Sequence, residues 1–336
     1  MEHADGTRSG VLERMNRPTI SVVMTVYNGE RYVSESLSSM FDQTYEDIEL
    51  VVVDDGSTDD TARILDAISD RRLHRVRNGE NRGLTRSLNR ALELAQGTWI
   101  ARLDAGDVAL PQRLEQQLAF VQAHPEFVLV GSSAFQMDAE GRELPTIHVA
   151  SAEALIRERL PKGNVFIHSS ILFRNHQDIR YRDKFVYAQD YDLYLRLLSS
   201  GARLTNMSAP LVRYRVTPDS ISATKLAEQY AFAEQARLFF RQRQAASHDK
   251  YADFKSEECL SGVLASSSPG LIRERIHAAL RAAEFGKARE EMRDLFRRHG
   301  IVNRLPLRYV HSYAQQLRWA WRQRRLGTTG QRPGSG

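Results

Sequence analysis

The chain has 336 residues, 42% of them hydrophobic and 26% charged, which excludes collagen, low-complexity and coiled-coil sequences and fits one large α/β domain or two ordinary ones. Its single cysteine, Cys259, excludes an internal disulfide and a cysteine-based zinc cluster and points to a reducing, cytoplasmic setting. The net charge of +5 is uneven, because residues 301–336 hold seven arginines and no acid and the first 300 residues carry a net −2.

Residues 1–17 mix acids, bases, Gly and Ser without an apolar stretch and read as a disordered tail rather than a secretory signal. No apolar run approaches the roughly 18–20 residues that span a bilayer. Ile20–Val26 predicts a strand, ended by the turn Tyr27-Asn28-Gly29 and followed by a helix with Val33, Leu37 and Met40. The pattern repeats at Ile48–Val53, where Asp54-Asp55-Gly56-Ser57 ends a strand and Ala62, Leu65 and Ile68 mark a helix. A third strand is predicted at Leu73–Arg77, a helix from Leu84 to Gly97, and a fourth strand at Thr98–Leu103 before Asp104-Ala-Gly-Asp107. Alternation of this kind predicts a mainly parallel sheet with helices on both faces, which binds ligands beyond the carboxyl ends of its strands. Farther on, strands are predicted at Phe127–Gly131 and Ser169–Arg174, a helix at Ala188–Ser200, and charged helices from about Ser222 with a loop at Ser261–Gly270.

Two acidic pairs, Asp54/Asp55 and Asp104/Asp107, come directly after apolar strands and are expected to open onto one crevice, since unpartnered carboxylates are costly to bury. The competing structural reading makes Asp54, Ser57 and Asp59 caps of the next helix. Asp190 and Asp192 begin a predicted helix, where residues two apart point about 200° from each other. Only one of them can face the crevice, and at a helix N-terminus it stays ionised and suited to act as a general base. His168 enters a predicted strand from a loop and reads either as a ligand-binding or as a structural residue.

Six segments, Ser21–Asn28, Val51–Asp59, Asn81–Leu84, Ala101–Asp107, His168–Ser170 and Gln189–Asp192, together resemble the family-2 glycosyltransferases, inverting enzymes of the GT-A fold that use nucleotide-diphosphate sugars. The resemblance spans about residues 18–222. It implies that Thr25, Tyr27, Asn28, Asp54 and Asp55 hold the nucleoside, with Tyr27 stacking on the base and Asp55 accepting its ring N–H, a preference for UDP or dTDP donors. It also implies that Asp104 reaches the ribose or diphosphate and that Asp190 is the base that deprotonates the acceptor hydroxyl, and the charge growing on the leaving diphosphate makes Arg82, Arg86 and His168 candidates to neutralise it.

Two positions depart from the family pattern. Gly106 stands where the family's second, metal-binding acid is usual, and Thr217 where many relatives place a histidine. A weak Mg²⁺ or Mn²⁺ requirement, with Asp104 or Asp107 as ligand, is the resulting expectation.

The expected organisation is a tail at 1–17, a GT-A domain at 18–222 with a nucleotide-binding half (18–110) and an acceptor half (111–222), a helical extension at 223–325 and a tail at 326–336. The expected activity is transfer to a saccharide or lipid-linked saccharide in cell-surface polysaccharide assembly. The alternative is a catalytically degenerate nucleotide-sugar-binding module. A receiver domain is disfavoured because a strand–helix unit precedes the acidic pair and no lysine ends a later strand. A dehydrogenase is excluded by the missing Gly-rich fingerprint. The arginines near the C-terminus are interleaved with His311, Tyr313, Trp319 and Trp321, and read as a solvated basic helix or as a peripheral contact with the inner face of the membrane. No nucleic-acid motif accompanies them.

Overall fold

A computed structural model describes residues 17–265 apart from 219. Residues 1–16 of the tail expected at 1–17, the tail expected at 326–336, the basic C-terminal helix and residues 266–325 of the expected extension lie outside the described residues.

Strands β1 (Ile20–Val26), β2 (Ile48–Asp54), β3 (Leu73–Arg77) and β4 (Trp99–Arg102) form the parallel half of one sheet, in the order β3-β2-β1-β4. The register pairs Ile20 with Ile48 and Val26 with Asp54, so the carboxyl ends of β1 and β2 finish level. Alternate residues of each strand point to opposite faces. Val22, Met24, Leu50 and Val52 pack in one core with α1 (Val33–Phe41) and α4 (Arg113–Ala123). Val23, Val51 and Val53 pack in the other with α3 (Leu84–Leu94), α6 (Gln189–Ser199) and α8 (Leu226–Ala246). The expected helices on both faces are therefore present, and α2 (Thr61–Asp66) and α5 (Glu153–Arg159) complete the connections.

The other half of the sheet is mixed. Beyond β4 the order continues β8 (Leu172–Arg174), β6 (Phe127–Met137), β9 (Arg203–Arg215) and β5 (Val108–Ala109), with β7 (Glu143–Ile147) paired to β6. β8 runs antiparallel to both β4 and β6, whereas β6 and β9 are parallel. The sequence pattern did not reveal β5, β7 and β9 and ended β6 at Gly131.

Three expectations are corrected. His168–Ser170 is a 3₁₀ turn rather than the start of a strand, because the amide and the hydroxyl of Ser170 both donate to Ile167 O (2.9 and 2.8 Å) and take the chain out of the ladder. The helix expected to reach Gly97 ends at Leu94, and Ala95 is extended. Residues 261–265, expected in a loop, belong to helix α9 (Ser256–Ala265), which comes after a short α7 (Ile221–Thr224) and α8.

Candidate active site

The crevice is built at the carboxyl ends of β2, β1 and β4. Tyr27 leaves β1 with its ring 49% exposed at the rim, and Thr25 lies buried on the strand behind it. Asn28 adopts φ +49, a left-handed conformation that asparagine tolerates. Its Oδ1 accepts the Thr58 N–H at 2.9 Å, and its own N–H donates to Ser57 Oγ at 2.9 Å. The β1 and β2 loops are thus tied together.

Asp54 and Asp55 divide the work. Asp54 is buried, accepts the Ser57 N–H at 2.9 Å and lies 3.4 Å from the Arg77 guanidinium. It shapes its own loop. Helix α2 starts at Thr61 with no side-chain cap, so Asp54 and Ser57 do not cap it, and Asp59 bonds the N–H groups of Glu30 and Thr61 instead.

Asp55 is 3% exposed and reaches across to the segment before α3. Its Oδ1 accepts Asn78 Nδ2 at 2.7 Å and the Arg82 N–H at 2.9 Å, and its Oδ2 accepts the Gly83 N–H at 2.9 Å. Gly83 takes φ +88, a conformation open to glycine. A carboxylate offers about four acceptor positions, so one on Oδ2 is left over. The exposed Arg82 side chain makes no ion pair among the described residues.

At the end of β4, Asp104 has a side chain 41% exposed. Its Oδ1 pairs with the buried Arg102 guanidinium, and its Oδ2 accepts Ser169 Oγ–H at 2.8 Å. Crowding by the protein works to raise this carboxyl, but the charges of Arg102 and His168 and the Ser169 bond leave it below its usual range. Gly106 comes next but one at φ +131, its N–H on Ser36 Oγ and its carbonyl accepting from Arg215 Nε, both at 2.8 Å.

Asp107 turns inward. It is 3% exposed, its Oδ1 accepts the Arg215 N–H at 2.8 Å, and its buried Oδ2 has no partner. Burial first, and then the charge of Asp104, push its carboxyl up to about 7. Arg215 also reaches Glu35 and the carbonyls of Asp138 and Ala139. Asp107 thereby anchors β9, and Asp104 is the acid of this stretch that opens on the crevice.

Asp190 occupies the first turn of α6 and accepts Asn164 Nδ2–H at 2.8 Å. As the helical spacing requires, Asp192 points the other way, fully buried between Arg196 (3.0 Å) and Arg182 (3.6 Å). Burial raises its carboxyl. His168 Nε2 lies 2.7 Å from Tyr181 Oη. Burial and the nearby Arg102 hold this imidazole below its usual range, while Asp190 and Asp104 pull the other way. Both acids also act on Tyr181. Both acids therefore lie within electrostatic reach of the His168–Tyr181 pair.

Arg102, Ser169, Arg215 and Asn164 carry this arrangement, and none was assigned a role from the sequence. Arg102 and Ser169 stand inside the Ala101–Asp107 and His168–Ser170 motifs, and that adjacency was the signal available. A divalent cation finds one open carboxylate here, on Asp104, because Gly106 brings no donor and Asp107 faces inward. Among the described residues no three His, Cys, Asp or Glu side chains converge as a metal cage. The chain thus fits a cation held mainly by a ligand's own oxygens and water.

The family model described as "Glycosyl transferase family 2" matches residues 21–192. EpsE of Bacillus subtilis, named as a glycosyltransferase, is 34% identical over 218 residues, covering 60% of this chain and 74% of its own. WfaP of Escherichia coli, named as a UDP-Glc:α-D-GlcNAc-diphosphoundecaprenol β-1,3-glucosyltransferase, is 29% identical over 212 residues, 62% of this chain and 82% of its own. Among solved structures, S. aureus TarS 1–349 in complex with UDP superposes with a TM-score of 0.52 at 20% identity, over 85% of this chain and 93% of that one.

Proposed function

Because the chain belongs to glycosyltransferase family 2, we propose that it is an inverting enzyme that transfers a sugar from a UDP- or dTDP-sugar to a hydroxyl of a saccharide or lipid-linked saccharide in cell-surface polysaccharide assembly. The observation that carries this reading is that Asp104 and Asp190, both partly exposed, act electrostatically on the same His168–Tyr181 pair, with Tyr27 and Asp55 at the carboxyl ends of the neighbouring strands β1 and β2. WfaP acts, by its name, on UDP-glucose and a GlcNAc-diphospholipid, and TarS binds UDP. Both support this class of donor.

In this mechanism Tyr27 stacks on the base, and the remaining acceptor position of Asp55 Oδ2 takes the ring N–H. Asp104 holds the ribose or the diphosphate. Asp190 removes the acceptor proton as that oxygen attacks the anomeric carbon opposite the leaving diphosphate, so one displacement inverts the centre. Negative charge grows on the departing diphosphate, and Arg82, which carries no competing ion pair among the described residues, meets it in this reading. A Mg²⁺ or Mn²⁺ ion held by Asp104 and the diphosphate would add Lewis-acid stabilisation of the same charge.

A second reading, a nucleotide-sugar-binding module without turnover, is favoured by Gly106 and the inward Asp107. One experiment separates the two. Thermal-shift screening of nucleotide sugars identifies the donor, and UDP release is then monitored with a GlcNAc-diphospholipid acceptor. Turnover that falls roughly 10²–10⁴-fold in Asp190→Asn, with UDP binding retained, supports the enzyme, whereas tight binding without turnover in the unaltered protein supports the module.

We also propose that the enzyme works at the cytoplasmic face of the membrane and docks there through its C-terminal basic segment. No helix among the described residues is long and apolar enough to cross a membrane. Truncation after Leu305 should reduce co-sedimentation with anionic vesicles, and unchanged binding would remove the tail from this role.

A further inference from the structure

Asp190 is gripped by a residue from a distant segment. Asn164 lies in the stretch between α5 and the His168 turn, and its Nδ2 donates to Asp190 Oδ2 at 2.8 Å. Its other end is held as well, because Asn164 Oδ1 accepts the Phe166 N–H at 3.0 Å. These two bonds fix the amide's orientation, since a flip would set its oxygen against a carboxylate and its NH₂ against an N–H. The neighbouring polar pair, His168 and Tyr181, bond to each other. Asn164 is therefore the side-chain donor to Asp190 among the described residues.

The backbone beneath Asp190 is constrained from a second direction. Ala188 precedes α6 at φ +51, where a side-chain-bearing residue persists only if its surroundings enforce the conformation. Its carbonyl accepts the Asp192 N–H at 3.0 Å, and its methyl packs against the core around α6.

We infer that Asn164 is a positioning residue for the reaction. It holds Asp190 by Oδ2 and leaves Oδ1, which has no hydrogen-bond partner among the described residues, to take the acceptor proton. This inference rests on the reading of Asp190 as the base. The Ala188 turn sets the carboxylate's origin and Asn164 sets its rotation, so the base is aligned before the acceptor arrives.

The test uses the full chain, UDP as binding probe, and UDP-glucose and UDP-N-acetylglucosamine as donors with the GlcNAc-diphospholipid acceptor or water. Asn164→Ala should lower kcat about 10–100-fold through misplacement of the base, with donor KM and UDP affinity changed less than twofold. Asn164→Asp keeps the acceptor for Phe166 N–H but sets a carboxylate against Asp190, and should lower kcat further. On an Asp190→Asn background neither change should cost more than twofold, because the group they position is already gone. Unchanged kcat in both single variants overturns the inference, and so does an equal loss on the Asp190→Asn background, which would mark a structural effect of the loop. Full turnover by Asp190→Asn alone would instead fail the base assignment, a result distinct from either.

Discussion

Replacing Asp55 with alanine tests two roles that one carboxylate performs. Without ligand, it accepts three hydrogen bonds from Asn78, Arg82 and Gly83 and so ties the end of β2 to the turn that opens α3. The variant leaves the buried Asn78 amide with Ser87 Oγ as its one acceptor, frees the Arg82 N–H and leaves the Gly83 N–H with Asn81 Oδ1 alone. An unsatisfied buried polar group costs about 1–3 kcal/mol. Water can reach the loop N–H groups, so the expected loss of stability is about 2–3 kcal/mol, or roughly 3–4 °C in Tm at this chain length. The fourth acceptor position is the one assigned to the nucleoside base, and a hydrogen bond to a charged acceptor contributes about 1.5–3 kcal/mol. UDP affinity should therefore fall roughly 10–100-fold. Calorimetric titration with UDP, performed well below the variant's own Tm, separates the two effects. A variant that melts early but binds UDP with unchanged affinity would refute the nucleoside role and leave Asp55 as a loop anchor.

Asp107→Asn should make folding stability less sensitive to pH. A carboxyl raised to about 7 from an unfolded value near 3.9 binds more protons in the folded state, so its contribution is intact below about pH 4 and is lost as pH rises to about 7. The variant's advantage over the unaltered protein should grow across that window, to at most about 4 kcal/mol, and denaturant titrations at pH 4.5 and 8 giving equal differences would contradict the geometry. Asp249→Ala should destabilise the chain by about 3 kcal/mol, because it strips Arg182 and Arg243 of their shared partner, as urea unfolding would show. Chelator should lower turnover without abolishing it, since Asp104 is one ligand and the diphosphate brings its own oxygens. Full activity in excess chelator would exclude a metal role.

The crevice was legible where strand chemistry is strongest. Ile20–Val26 and Ile48–Asp54 are runs of Val, Ile and Leu that stop at turn residues, and such runs place the residue after the strand at a sheet edge before any contact is known. The mixed half was not legible for the opposite reason. β9 contains Asn206, Ser208 and Pro210, and β6 continues through Gly131-Ser-Ser, where the register with β9 shifts. Residues that neither alternate nor favour strands are held there by their neighbours. Asp107 and Asn164 were beyond sequence reasoning in another sense. The inward turn of Asp107 is set by Arg215, 108 residues later, and Asn164 meets Asp190 through a loop with no local periodicity.

The family match ends at residue 192, yet the helix that carries Asp190 depends on contacts with residues well past that point. Asp192, two residues beyond the assigned base, is fully buried against Arg196 and Arg182. Arg182 in turn pairs with Asp249, which also binds Arg243 of α8, and its guanidinium lies 4.3 Å from the centre of the Tyr251 ring. Phe185 of the segment before α6 packs against Phe232, Phe239 and Phe254. Residues 226–254 therefore form the back wall of the helix that carries Asp190. A buried ion pair gains little net stability over an apolar replacement, but it is unforgiving of a missing partner and can specify one arrangement. That property suits a helix whose first turn must present one carboxylate at one angle. Changes at Asp249 or Arg243 should accordingly reach the reaction through Asp190: at temperatures where the Asp249→Ala variant remains folded, kcat should fall while UDP affinity holds. A parallel loss of UDP affinity would instead mean that the helical segment supports the whole sheet rather than the base.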